Sequence, residues 1–206
     1  TSGTTVEGWT TKTAMPATRY LHAQSLLADG KVLVTGGSNV NTVYSYDPST
    51  NAWTTKTAMP ATRYLHAQST LSDGKVLVTG GLVAGVTSAD VQSYDPSTNA
   101  GTAKTSMPAN RYYHGQSLLA DGTVLVTGGD VGGSVSADVQ SYDPSTNAWT
   151  AKTALPATRQ FQGQSTLSDG KGLVTGGYVG GVKSADVQSY DPSTNAWTAK
   201  TALPAT

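Results

Sequence analysis

Nine residues, Asp29-Gly30-Lys31-Val32-Leu33-Val34-Thr35-Gly36-Gly37, return almost unchanged at 73–81, 121–129 and 169–177. A chain that repeats one unit at a fixed period folds as an array, because each unit buries its apolar sides only against its neighbours. Within the unit, Asp-Gly tolerates positive φ at both centres of a tight hairpin turn. The β-branched apolar run that follows favours a buried strand. The closing glycine pair lets backbone pass close to backbone and lets a flexible connection begin. The unit is therefore a hairpin feeding a buried strand that ends in a loop.

The tryptophan position sets the period. Trp53, Gly101, Trp149 and Trp197 stand 48 residues apart, whereas Trp9 precedes Trp53 by 44, the four missing residues falling after Gly37. Each unit holds four short extended segments, which in the first copy are A (Leu21 to Leu27), B (Lys31 to Thr35), C (Val43 to Tyr46) and D (Ala52 to Thr57). Pro, Gly and Asx turn chemistry separates them, and no 3.6-residue periodicity occurs, so each unit is a four-stranded antiparallel meander. A radial array of such sheets is a β-propeller. The expectation is one all-β domain over residues 1–206, with four blades at about 9–56, 57–104, 105–152 and 153–200. Ser-Leu-Leu-Ala-Asp-Gly marks the first and third units and Ser-Thr-Leu-Ser-Asp-Gly the second and fourth. A pair of units has been duplicated, and the copies are alike enough for a young or a designed array.

The paired glycines, the Tyr-Asp-Pro-x-x-Asn-x-Trp stretch (Tyr46 to Trp53) and the Met-Pro-x-x-Arg-x-x-His run (Met15 to His22) resemble kelch repeats, and they recur along almost the whole chain. The Asp-Gly-Lys-Val-Leu-Val-Thr-Gly-Gly form is similar to bacterial kelch arrays in particular. The departures are Gly101 at a tryptophan position, Gly172 within a strand, and Gln160-Phe161-Gln162 in place of Tyr-Leu-His.

Composition closes several routes. Thirteen basic and thirteen acidic side chains balance, so charge points to neither nucleic acid nor an anionic membrane surface. No apolar run is long enough to span a bilayer, and no signal peptide is evident, so either the protein is not secreted or its signal has been removed. With zero cysteines there are no disulfides, thiolate metal sites or thiol nucleophiles. The neutral, Thr/Ser/Gly-rich composition leans towards the cell surface or exterior. Of the twelve aspartates and one glutamate, all but Asp130 and Glu7 hold a repeated turn or strand-approach position, which argues against the paired carboxylates of a glycosidase. Gly177 to Ser184 misses a phosphate-binding loop at Val182, and no Gly-x-Ser-x-Gly elbow exists. Copper-radical oxidases share the kelch propeller, but their crosslinked cofactor needs a cysteine. Kelch proteins that isomerise sialic acid or steer glucosinolate breakdown rely on glutamate-containing sites, and the one glutamate here precedes the first repeat. The reading is non-enzymatic, with no cofactor and no metal.

A meander places the A-to-B and C-to-D turns at one end and the D-to-A and B-to-C connections at the other. The second end carries the variable loops Ser38 to Thr42, Leu82 to Asp90, Asp130 to Asp138 and Tyr178 to Asp186, and so is the candidate binding face. All four arginines, Arg19, Arg63, Arg111 and Arg159, share one repeat position at that end. The family resemblance implies that they line the mouth of the central channel. There they could hold a carboxylate, a sulfate or an acidic loop, or each could pair internally and only tie blades together. Both alternatives stand. Tyr20, Tyr64 and Tyr112 could stack a sugar or peptide at the mouth, or simply pack. His22, His66 and His114 are equivalent, but the fourth copy is Gln162, which favours an inter-blade hydrogen bond over a metal ring.

The function expected is a binding scaffold whose Arg/Tyr-lined face takes a protein or glycan partner. The alternative is a structural or designed array, or an adhesin-like segment of a longer surface protein, with no ligand. Trp9, Trp53, Trp149 and Trp197 are expected to be buried between blades. The chain carries five copies of strand D, since Thr5 to Thr10 and Ala196 to Lys200 are both D-like. It is therefore expected to be part of a longer array or to self-associate through its ends into a larger ring, with a self-closed four-blade monomer as the runner-up.

Overall fold

A computed structural model describes residues 8–204. It holds four antiparallel four-stranded sheets and, among the described residues, no helix. Blade one is Ala23–Leu26, Val32–Thr35, Val43–Asp47 and Ala52–Lys56, in that order across the sheet. The same A to D order recurs from Ala67–Thr70 to Ala100–Lys104, from Gly115–Leu118 to Ala148–Lys152, and from Gly163–Thr166 to Ala196–Lys200. Gly172 stays in strand, paired with Tyr190. Of the two D-like segments, Ala196–Lys200 completes blade four. Gly8, Trp9 and Thr10 carry no strand, and Thr5, Val6 and Glu7 lie outside the described residues.

The turns form differently from the simplest hairpin. Gly30 has φ 82 but Asp29 is not in the left-handed region, so the Asp-Gly pair is not a two-residue turn with positive φ at both centres. Instead Gly30 N–H donates to Leu27 O at 3.0 Å, Leu27 N–H to Lys31 O at 2.7 Å, and Asp29 Oδ1 accepts Lys31 N–H at 3.1 Å. This is a tight turn followed by one left-handed glycine, the three-residue solution to the same strand twist. At the C-to-D turn Asp47 Oδ1 accepts from Ser49 N–H and Oγ–H. Asn51, whose short side chain tolerates φ 54, accepts the Tyr46 hydroxyl at 2.8 Å.

The B-to-C connections are more ordered than a flexible glycine loop. In blades two to four each folds into a small hairpin, such as Leu82–Val83 with Val86–Thr87, that pairs with the approach to strand A at Arg63–Tyr64. Blade one has four fewer residues in this loop and forms no such hairpin.

The core lies between blades. Leu27, Leu33, Val43 and Met59 pack with Val76, Val78 and Tyr94 across the first boundary, and equivalent clusters fill the second and third. Met59, Met107 and Leu155 enter these clusters from the linkers between blades, each linker pinned by a backbone bond such as Met59 N–H to Asn41 O, 2.9 Å. The tryptophans differ from expectation. Trp53, Trp149 and Trp197 are half-buried, each lying against a tyrosine and donating its indole N–H to a linker carbonyl at 2.9 Å. Trp9, with no sheet on which to lie, is fully exposed.

One set of polar links recurs at every boundary. Gly37 N–H donates to Arg63 O, Gly81 to Arg111 O and Gly129 to Arg159 O. At the first boundary Gln68 Nε2 donates to Ser25 Oγ at 2.9 Å and Leu33 O at 3.1 Å. Gln116 and Gln164 repeat this at the second and third. Among the described residues no such bond joins blade four to blade one. Gln24, Leu26, Gly163 and Ser165 are exposed, so the four blades form an arc with two uncovered sheet faces.

Candidate functional site

The loop end of the arc carries the sequence candidates, and the structure sorts them by what they bond. Arg63, Arg111 and Arg159 are at most 2% exposed. Arg63 Nη1 donates to Gly80 O at 2.7 Å, and its Nη2 forms an ion pair with Asp90. Arg111 does the same with Gly128 O and Asp138, and Arg159 with Gly176 O and Asp186. Each guanidinium thus ties the approach to strand A to the B-to-C loop of its own blade. Burial pulls Arg63 and Arg111 below the usual arginine value, against which their aspartates work. In blade one Thr42 replaces the aspartate. Arg19 is only half-buried, bonds Gly36 O and Thr42 Oγ1, both at 2.9 Å, and lies 4.6 Å from the centre of the Tyr44 ring.

The histidines bridge blades. His66 Nε2 lies 2.8 Å from Thr35 Oγ1 and His114 Nε2 lies 2.9 Å from Thr79 Oγ1, each threonine belonging to the preceding blade. Thr35 also donates to Gln68 Oε1, so it accepts from His66, which places the proton on Nε2. Burial, then the nearby Arg63, push His66 down to about 3, and His114 falls well below its ordinary value for the same kind of reason. Both rings are neutral at physiological pH. Gln162 substitutes directly, donating to Thr127 O at 2.8 Å. Among the described residues no blade precedes His22 to take an equivalent bond. Among the described residues no group of three His, Asp or Glu side chains is placed to hold a metal ion.

Tyr20 is exposed, while Tyr64 and Tyr112 are half-buried beside the arginines. The mouth itself is formed by residues that sequence reasoning passed over. Leu21, Leu65, Tyr113 and Phe161 hold one repeat position and all have φ between 57 and 59. Bulky residues rarely accept the left-handed region, and such strain persists only where the surroundings fix it. Here a backbone ladder does so, with Leu65 N–H to Leu21 O, Tyr113 N–H to Leu65 O and Phe161 N–H to Tyr113 O, at 3.1, 3.3 and 3.1 Å. These four residues form a partial collar that, together with the three histidines and Gln162, lines an open recess of about 250 Å³. On one side the collar is an aromatic run: Tyr112 to Tyr113 at 4.7 Å, Tyr113 to Phe161 at 3.9 Å, and Phe161 to Tyr178 at 6.1 Å between ring centres. A signal was available in the sequence, since this position varies as Leu, Leu, Tyr and Phe among near-identical copies.

Residues 1–150 match the sequence profile of the KLHDC2/KLHL20/DRC7 Kelch-repeats domain, and residues 166–204 match the Kelch motif. No curated protein matched the chain. Among solved structures, YjhT superposes with a TM-score of 0.77 at 19% identity, covering 91% of this chain and 67% of its own. A fungal alcohol oxidase of the AA5 family, in complex with copper, gives 0.59 at 17% identity, covering 90% of this chain and 54% of its own. The chain thus spans about two-thirds of the first and about half of the second, and at these identities the likeness is one of fold alone.

Proposed function

Because the chain belongs to the kelch-repeat family, whose propellers generally mediate binding, we propose that it is a non-enzymatic interaction scaffold that seats an apolar segment of a protein partner in the collar at the channel mouth. The observation that carries this is the set of four apolar side chains held in left-handed backbone at one exposed recess. At the two ends of the row Leu21 and Phe161 are 41% and 52% exposed, and Leu65 and Tyr113 between them are half-buried. Aromatic faces with few rotatable bonds are effective recognition anchors. The buried arginines stand behind this surface and hold its loops, with Tyr20, Tyr64 and Tyr112 at the rim. The chain has no cysteine, so the crosslinked cofactor of copper-radical oxidases has no thiol to form from.

Peptide and glycan arrays probed with the wild type, Phe161→Gly and Tyr113→Gly test the proposal. Peptide signal lost in both variants, with unchanged melting, supports it. Signal confined to glycans, or surviving both substitutions, overturns it.

The uncovered sheet faces favour a second reading, in which two copies join end to end. Blade four offers Gly177 N–H, Thr175, Ser165 Oγ and Leu173 O, the groups that take the next blade at every internal boundary. Blade one offers Arg19 O, His22 and Gln24, the groups that would meet them. Leu203 N–H already bonds Ala185 O at 2.8 Å, filling the linker seat, so the incoming copy would contribute from Arg19 onward. Light scattering behind size exclusion decides it. A mass rising with concentration, and lowered by Gln24→Ala, is expected; a constant single-chain mass would remove this reading.

A further inference from the structure

At Gly101 the chain keeps every part of a tryptophan seat except the tryptophan. Strand register sets Gly101 opposite Tyr94, as Trp53, Trp149 and Trp197 stand opposite Tyr46, Tyr142 and Tyr190. In the three filled seats the indole lies 5.0 to 5.1 Å from the tyrosine ring centre and donates its N–H to the carbonyl of Thr13, Thr105 or Thr153. Those threonines are fixed because each N–H donates to an asparagine that also accepts the tyrosine hydroxyl. The same clamp is intact here: Asn99 Oδ1 accepts Tyr94 Oη–H at 2.8 Å and Thr57 N–H at 2.9 Å. Thr57 O therefore occupies the acceptor position, and Gly101 supplies no donor to it.

The space is free. A β-carbon on Gly101 would meet nothing within 4 Å, and a cavity of about 40 Å³ opens beside it, lined by Thr57, Ala58, Met59, Pro60 and Tyr94. The surface that faces the cavity is mostly apolar, although Thr35, Gln92 and Ser93 also contribute to its lining. A preformed apolar recess with one aligned polar group selects ligands by shape and by that one bond.

We propose that this recess is a binding site for an indole ring, stacked against Tyr94 with its N–H donated to Thr57 O. The ring can come from a free indole or from the tryptophan side chain of a partner segment. The site lies on the flank between blades one and two, apart from the collar, and stands whether or not the collar binds.

Indole, 1-methylindole and N-acetyltryptophanamide are titrated against the whole chain while backbone amide shifts are followed. Saturable shifts at Thr57, Ala58 and Gly101, on the order of a millimolar dissociation constant, are expected for indole. They are expected to vanish in Gly101→Trp, whose own side chain fills the seat. 1-Methylindole, lacking the donor, should bind several-fold more weakly. Binding of N-acetyltryptophanamide identifies a side-chain source, and binding of indole alone a small-molecule source. A second variant, Trp149→Gly, should open an equivalent seat and add indole-dependent shifts at Thr105. No shift at Thr57, or shifts that persist in Gly101→Trp, would overturn the site. Equal binding of 1-methylindole would overturn the role of the Thr57 carbonyl.

Discussion

His66 Nε2 and Thr35 Oγ1 lie 2.8 Å apart across the boundary between the first two blades. The ring that makes this bond is buried and stays neutral down to a pKa of about 3. An unfolded histidine takes a proton near pH 6.5, so the folded state binds fewer protons below that value. The stabilisation is fully present above about pH 6.5 and is lost as pH falls towards 3. The slope is at most about 1.4 kcal/mol per pH unit for each such histidine. Chemical denaturation from pH 7 to pH 4.5 should show stability falling, with His114 contributing in the same direction. His66→Gln, which copies the side chain at 162, should flatten that fall. An equal slope in the variant would mean the ring is solvated.

Arg111 is 1% exposed and is bonded to Gly128 O and Asp138. Removing one partner of a buried pair leaves the other uncompensated, a loss of roughly 3–5 kcal/mol that is reduced where one partner is partly solvated. Asp138 has 38% of its side chain exposed. Asp138→Ala, which leaves the enclosed guanidinium uncompensated, should therefore cost about 3 kcal/mol, and Arg111→Ala, which leaves a carboxylate that solvent reaches, should cost less in charge. Arg111→Lys should recover little, because a single ammonium cannot span the carbonyl and the carboxylate. Thermal melting of the three variants checks the order.

Trp149 is half-buried, stacked 5.0 Å from Tyr142 and bonded to Thr105 O at 2.9 Å. Trp149→Ala should lower stability by about 2–3 kcal/mol, below the roughly 3–5 kcal/mol of a fully enclosed ring. Trp9→Ala should leave the melting curve in place, since that ring touches no sheet.

The blades were legible in the sequence because period, turn chemistry and β-branched runs are local signals that four copies repeat. The pairing of Arg63 with Asp90, 27 residues away, was legible only as two alternatives. Sequence shows that both residues recur, and only the fold shows that the B-to-C loop brings them together. The collar escaped notice because alternation along a strand assigns Leu65 and Tyr113 to a face, whereas a left-handed residue there breaks that alternation and brings the side chain to the recess. The half-burial of the tryptophans escaped for a related reason. Their rings lie along the outer edge of a boundary, where the indole nitrogen can reach a linker carbonyl but solvent still reaches the ring.

One set of contacts joins each pair of blades, is made three times and is left open at the arc's end, and glycine substitution measures this directly. A β-carbon at Gly80, where φ is 59, would run into the Arg111 carbonyl and the Met107 side chain. At Gly176 φ is 61, but the nearest atom is Ser184 O at 3.4 Å, because no further blade covers it. Melting of Gly80→Ala and Gly176→Ala, at dilutions where the chain is a monomer, separates strain from contact. Both pay the left-handed backbone cost of about 1 kcal/mol. Gly80→Ala should lose several kcal/mol more, as backbone cannot give way cheaply, while Gly176→Ala should lose little beyond it. Equal, large losses at the two glycines would contradict the open arc and mean that blade four is covered like the others.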